Sequence, residues 1–79
     1  MTCYVKHLSE IMRRAGAENT YENKQLLDKI VREVLSMERN DCADVWKSVK
    51  AIMFSGNEKH KMLFEDRVVE IFIKRLITG

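Results

Sequence analysis

The chain has 79 residues, 14 of them basic and 12 acidic, which gives a net charge of +2. This length allows one small domain, spanning residues 1–79, and a domain of this size buries only about 60% of the unfolded chain's surface. A duplex-binding protein typically neutralises about 6 to 10 phosphates with a concentrated basic face, and the near balance of charge does not supply one.

Cysteine usage and hydropathy bear on the compartment. The two cysteines, Cys3 and Cys42, form no CxxC pair. A single bridge would be a sparse framework for a secreted mini-protein, so we expect reduced thiols. We find no secretory signal at the amino terminus and no run of roughly 18 apolar residues that would span a membrane. We therefore expect a soluble, cytoplasmic protein.

The first predicted helix spans about residues 3–15, with Thr2 as its cap and Gly16 as its stop. Its apolar residues recur at three- and four-residue steps and so share one face. They are Tyr4, Val5, Leu8, Ile11, Met12 and Ala15.

The second predicted helix spans about residues 21–38, and Asn19 or Thr20 can cap it. Its apolar seam is two heptads long, whereas a coiled coil needs three or four. The seam consists of Leu27, Ile30, Val34 and Met37, widened by Leu26, Val31 and Leu35. Asp28 with Arg32 and Lys29 with Glu33 are charge pairs four residues apart, each worth only about 0.2 to 0.5 kcal/mol. We expect them on a solvated face.

The third predicted helix spans about residues 42–55, between a cap at Asp41 and a stop at Gly56. Its apolar stripe contains Cys42, Val45, Trp46, Val49, Ile52 and Met53. The only tryptophan, Trp46, is a candidate interface anchor because interface hot spots favour this residue. Its helical spacing from Val49 and Met53 favours a core position instead.

The fourth predicted helix, residues 58–77, is the most informative stretch. Its apolar residues cover more than half of the helix circumference, whereas a surface helix needs a stripe only about 100° wide. The helix should therefore be buried against two partners, either in the middle of the bundle or at a dimer seam. The candidate interface residues are Phe64, Val68, Val69, Ile71, Phe72, Ile73 and Leu76, together with Trp46.

Residues 67–73 also have the composition of a strand, because valine, isoleucine and phenylalanine favour strands. No other segment offers such a strand a partner, and a lone strand leaves its backbone groups unpaired. An intermolecular two-stranded pairing is the less favoured alternative. Short connections favour antiparallel neighbours, so the sequence predicts an all-α fold, a compact bundle of about four helices.

Among possible catalytic or ligand-binding sites, a zinc site is the most specific candidate. Cys3 and His7 are four apart and would face the same way on a helix, with Cys42 and His60 to complete a Cys₂His₂ set. Known zinc modules use two closely spaced ligand pairs, and this chain has only one, so we predict no metal and no other cofactor.

Catalytic motifs are not evident. No local signature joins the two histidines to a nucleophile, and no glycine-rich phosphate loop is present. We therefore predict a non-enzymatic regulatory or protein-interaction module, either a homodimer or a protein docked on a partner through its fourth helix.

The alternative function is a small nucleic-acid-binding regulator. The segment from Glu33 to Phe54 fits a helix-turn-helix with residues 38–41 as the turn. Two aspartates, Asp41 and Asp44, stand where the reading helix would approach phosphates and disfavour this alternative.

Overall fold

A computed structural model describes residues 4–78. A short 3-10 helix, Val5–Leu8, leads directly into helix α1, Ser9–Arg14. The remaining helices are α2, Tyr21–Leu35; α3, Cys42–Met53; and α4, Glu58–Thr78. No strand occurs in this described range, and residues 67–73 are helical. The predicted all-α bundle of four helices is confirmed.

The first helix departs from its prediction, because it is split into a 3-10 turn and a short α-helix. Val5, Leu8 and Ile11 are all buried and stand three residues apart. This spacing suits a 3-10 turn, in which side chains at i and i+3 lie over one another. The predicted cap, Thr2, and the predicted first residue, Cys3, lie outside the described residues.

Glycine ends α1 as predicted. Gly16 has φ +71°, and its N–H donates to the carbonyl of Arg13 at 3.0 Å, while Ala17 N–H donates to Met12 at 3.0 Å. These two bonds satisfy carbonyls that a helix end leaves unpaired.

Helix α2 begins as predicted, because the Thr20 side chain accepts a hydrogen bond from the N–H of Asn23 at 3.2 Å. It ends at Leu35, three residues before the predicted boundary. Ser36 takes a left-handed conformation with φ +56°, and Met37 N–H donates back to Arg32 at 2.8 Å. The sequence pattern did not predict this helix end because the left-handed position, which normally favours glycine, is occupied by serine.

Asparagine and aspartate caps set the start of the last two helices, as predicted. The Asp41 side chain accepts from the N–H of Asp44 at 2.9 Å, and Asn57 Oδ1 accepts from the N–H of His60 at 3.1 Å. Each bond satisfies one of the free amides in a first helical turn.

Helix α4 lies at the centre of the bundle and contacts α1, α2 and α3. It runs antiparallel to α2: Arg67 lines one cavity with Val34 near the end of α2, and Leu76 lines another with Leu26 near its start. The buried core draws on every helix. Its members are Tyr4, Val5, Leu8, Ile11, Met12, Leu27, Ile30, Val31, Val45, Val49, Phe64, Val68, Val69 and Phe72.

Within residues 4–78, no helix combines the length and the apolar character needed to cross a membrane.

Candidate functional site

The predicted interface residues of α4 divide into two groups. Four of them, Phe64, Val68, Val69 and Phe72, are buried in the chain's own core, and Ile71 is half-buried against it. These five side chains hold the fourth helix to the other three. The remaining two are more than a third exposed: Ile73 and Leu76.

The opposite side of α4 carries large apolar side chains in water. Met62 is 58% exposed, Leu63 61% and Ile77 78%, and none of the three was among the predicted interface residues. The α4 outer face consists of the exposed residues Met62, Leu63, Asp66, Arg67, Glu70, Ile73, Lys74 and Ile77. Because one helix places core residues on one side and these residues on the other, the wide apolar stripe serves two surfaces.

Charged residues occupy the middle of the α4 outer face. Lys74 Nζ lies 3.2 Å from Glu70 Oε1, and Arg14 Nη2 lies 2.5 Å from Asp66 Oδ1. The bond to Asp66 also raises the pKa of the Arg14 guanidinium. Exposed pairs of this kind are worth only about 0 to 1 kcal/mol, so they orient charge on the face more than they stabilise the fold.

Trp46 is half-buried and already has neighbours on its ring. The His7 imidazole stacks on it with centroids 4.8 Å apart and planes 11° apart, and the Tyr4 ring is parallel to it at 6.2 Å. Lys50 Nζ lies 5.6 Å from the indole centroid, close enough for a cation–π contact. The indole therefore fixes the amino-terminal segment to α3.

A polar cluster joins the amino-terminal segment, α2 and the connection before α3. The Tyr4 hydroxyl donates to the Asp28 carboxylate, and Arg32 Nε donates to both oxygens of Asp28 at 3.0 and 3.2 Å. Arg32 also donates to the carbonyl of Asn40. The Asp28 and Arg32 side chains are only 14% and 17% exposed, so the prediction of a solvated pair is wrong. The pair is largely shielded from water because Tyr4 and the α2–α3 connection contact it.

The Tyr4 phenol is held in its neutral form by this cluster. The pKa of Tyr4 is raised strongly. Burial is the main cause of the rise, and the hydrogen bond to the Asp28 carboxylate is the second. A phenolate beside a carboxylate would be repelled as well as desolvated. The stabilisation from the neutral hydroxyl is therefore present below the unfolded-state pKa of about 10 and is lost as the pH rises above it.

Beside this cluster lies an open cavity of about 560 Å³, whose lining includes Asp28, Lys29, Arg32, Glu33 and Glu38. Two of these carboxylates already have cationic partners. Asp28 binds Arg32, and both oxygens of Glu33 contact Arg75 Nη2 of α4, at 3.0 and 2.8 Å.

The partner of Glu33 was not predicted from the sequence, which pairs it with Lys29. The bond to Arg75 lowers the pKa of the Glu33 carboxyl. Its contribution to stability is present above the ordinary glutamate pKa of about 4.3 and is lost as the pH falls below it. The pair thus links α2 to α4 at neutral pH.

The four zinc candidates are not brought together as a described site. Cys42 is disulfide-bonded, so the expectation of a reduced thiol is wrong at this position, and Arg32 Nη2 lies 3.7 Å from its sulfur. His7 stacks on Trp46, His60 is exposed in the first turn of α4, and Cys3 lies outside the described residues. Among residues 4–78, no three histidine, cysteine, aspartate or glutamate side chains are grouped to hold a metal ion.

Two arginines near the amino terminus and the cap of the predicted reading helix make contacts within the chain. Arg13 Nη2 lies 2.6 Å from Glu10, Arg14 binds Asp66, and Asp41 caps α3. The α2–α3 connection covers residues 36–41, whereas a helix-turn-helix uses a turn of three or four residues.

Comparison with known proteins adds no identity, since no protein-family model, no curated protein and no solved structure matches this chain.

Proposed function

We propose that this protein is a non-enzymatic interaction module that forms a homodimer through the α4 outer face. The main support is the exposure of Met62, Leu63 and Ile77 on α4, the helix whose other side is buried in the core. Burying a large apolar side chain fully is worth about 1.5 to 3 kcal/mol. Burial of several such side chains in one interface would therefore favour association of two copies.

The dimer is preferred to other functions because of how the remaining polar groups are used. Asp28, Arg32 and Glu33, which line the 560 Å³ cavity, are bound to other side chains of the same chain. Catalysis needs a nucleophile, a base and an orienting group that converge on a substrate. The α4 outer face, in contrast, has three large apolar side chains that are more than half exposed: Met62, Leu63 and Ile77.

Sedimentation equilibrium between about 1 and 100 μM tests the proposal, because this range detects dimers of micromolar affinity. We expect a reversible monomer–dimer equilibrium in the wild-type protein. Leu63→Glu places a charge in the outer face and should shift the protein to monomer while leaving its circular dichroism unchanged.

The matched control is Tyr21→Glu. Tyr21 is 63% exposed, as Leu63 is at 61%, but it lies at the start of α2 and not on the α4 outer face. This variant should dimerise like the wild type. A wild-type protein that stays monomeric up to about 100 μM, or a Leu63→Glu variant that dimerises normally, would overturn the proposal.

A further inference from the structure

The order of charged and apolar residues along the α4 outer face determines how two copies can pair. Its apolar residues stand at the two ends, Met62 and Leu63 towards the start of α4 and Ile73 and Ile77 towards its end. The charged residues of the same face are, in chain order, negative, positive, negative and positive. These charged residues are Asp66, Arg67, Glu70 and Lys74.

A parallel pair of α4 helices in register would place every residue opposite its own copy. Each of the four charged residues would face the same residue of the other copy. Like charges directly opposed across an interface are unfavourable, and here four such contacts would follow one another along the helices.

An antiparallel pair about a two-fold axis through Glu70 removes three of these four repulsions and leaves only the one at Glu70. Asp66 and Lys74 are each four residues, about 6 Å along the helix, from Glu70 on opposite sides. The axis therefore places Asp66 of each copy opposite Lys74 of the other. A two-fold interface makes each such contact twice, so two ion pairs form.

The same axis also pairs two apolar residues near the ends of the outer face. Leu63 and Ile77 are each seven residues, about 10 Å, from Glu70 and so come to lie opposite one another in the pair. The two Glu70 side chains meet on the axis, where Arg67 of the other copy approaches within one turn of each and lies opposite Ile73. The Asp66–Lys74 ion pairs and the Leu63–Ile77 contact thus favour the same orientation.

We propose that the partner of the α4 outer face is a second copy of this chain, bound with its α4 antiparallel and with Asp66 opposite Lys74 of the other copy. This inference rests on the proposed function and adds the orientation and the specifying ion pair. It predicts that the affinity of the dimer depends on opposite charges at positions 66 and 74.

Charge reversal tests the inference. Asp66→Lys and Lys74→Asp should each weaken the homodimer about tenfold or more, because each creates two like-charge contacts. An equimolar mixture of the two variants should dimerise with near wild-type affinity, since both 66–74 contacts are then complementary. The double variant Asp66→Lys/Lys74→Asp should also recover. Dissociation constants come from sedimentation equilibrium, and the mixed dimer is identified by native mass spectrometry.

Two controls separate this effect from losses within one chain. Lys47→Asp matches Lys74→Asp but changes an exposed residue of α3. Arg14→Gln removes the intrachain partner of Asp66 without changing the α4 outer face. Both should dimerise normally.

Two results would overturn the antiparallel pairing while leaving the proposed dimer intact. The first is that Asp66→Lys and Lys74→Asp each dimerise as well as the wild type, although Leu63→Glu disrupts the dimer. The other is a mixture that fails to recover. A wild-type monomer would instead refute the proposed function itself.

Discussion

Replacing Phe72 with alanine tests the central position of α4. Its ring is 0% exposed and belongs to the same buried cluster as residues from all the other helices. Truncating a buried phenylalanine removes its transfer free energy and leaves a cavity, which together cost about 3 to 5 kcal/mol. We expect Phe72→Ala to lose this amount of unfolding free energy.

The size of this loss matters because the domain is small. At about 0.05 to 0.15 kcal/mol per residue, a chain of 79 residues has a stability of roughly 4 to 12 kcal/mol. Phe72→Ala would therefore remove about a quarter or more of this stability and, near the lower end, would leave the protein largely unfolded at 37 °C.

Urea unfolding followed by circular dichroism at 222 nm measures the loss. All proteins should be compared at one concentration, because a dimer's apparent stability depends on concentration. The control is Phe54→Ala, which truncates the same residue type outside the α4 outer face, where a 74% exposed side chain should cost less than about 0.5 kcal/mol. A loss below about 1 kcal/mol for Phe72→Ala would mean that the ring is not in the core and would refute the packing described above.

Two further predictions concern the polar cluster and the end of α2. Tyr4→Phe should cost about 1 to 2 kcal/mol at pH 7 by removing the donor to Asp28. Because the pKa of Tyr4 is raised, the wild-type advantage should shrink as the pH rises above about 10, and a difference independent of pH would contradict the assignment. Ser36→Gly should stabilise the protein by about 0.5 to 1 kcal/mol, since glycine takes the left-handed conformation without strain. Thermal denaturation should show a melting temperature higher by about 2 to 8 °C, and an unchanged or lower value would argue against strain at Ser36.

The helices and most of the core could be predicted from the sequence because they depend on local periodicity. Residues three and four apart share a helix face, and most of the residues so grouped on α1 and α2 are buried. Capping is equally local, and Thr20, Asp41 and Asn57 cap their helices as expected.

The candidate site was less predictable because it depends on contacts between distant segments. Arg14 and Asp66 are 52 residues apart, and Glu33 and Arg75 are 42 apart, so no local pattern links either pair. The helical wheel of α4 identified a stripe too wide for one surface, but it could not say which residues the other helices cover. The exposure of Leu63 and the burial of Phe64 follow from the position of α2 and not from residue type.

The parallel stack of the His7 imidazole on Trp46 provides a built-in optical reporter. Since Trp46 is the only tryptophan, the indole emission reports on this contact between the amino-terminal segment and α3. Detachment of that segment would change the emission while leaving the far-ultraviolet signal of α2 and α4 nearly constant. Comparing the two signals would therefore reveal whether the segment opens as an independent unit before the bundle unfolds.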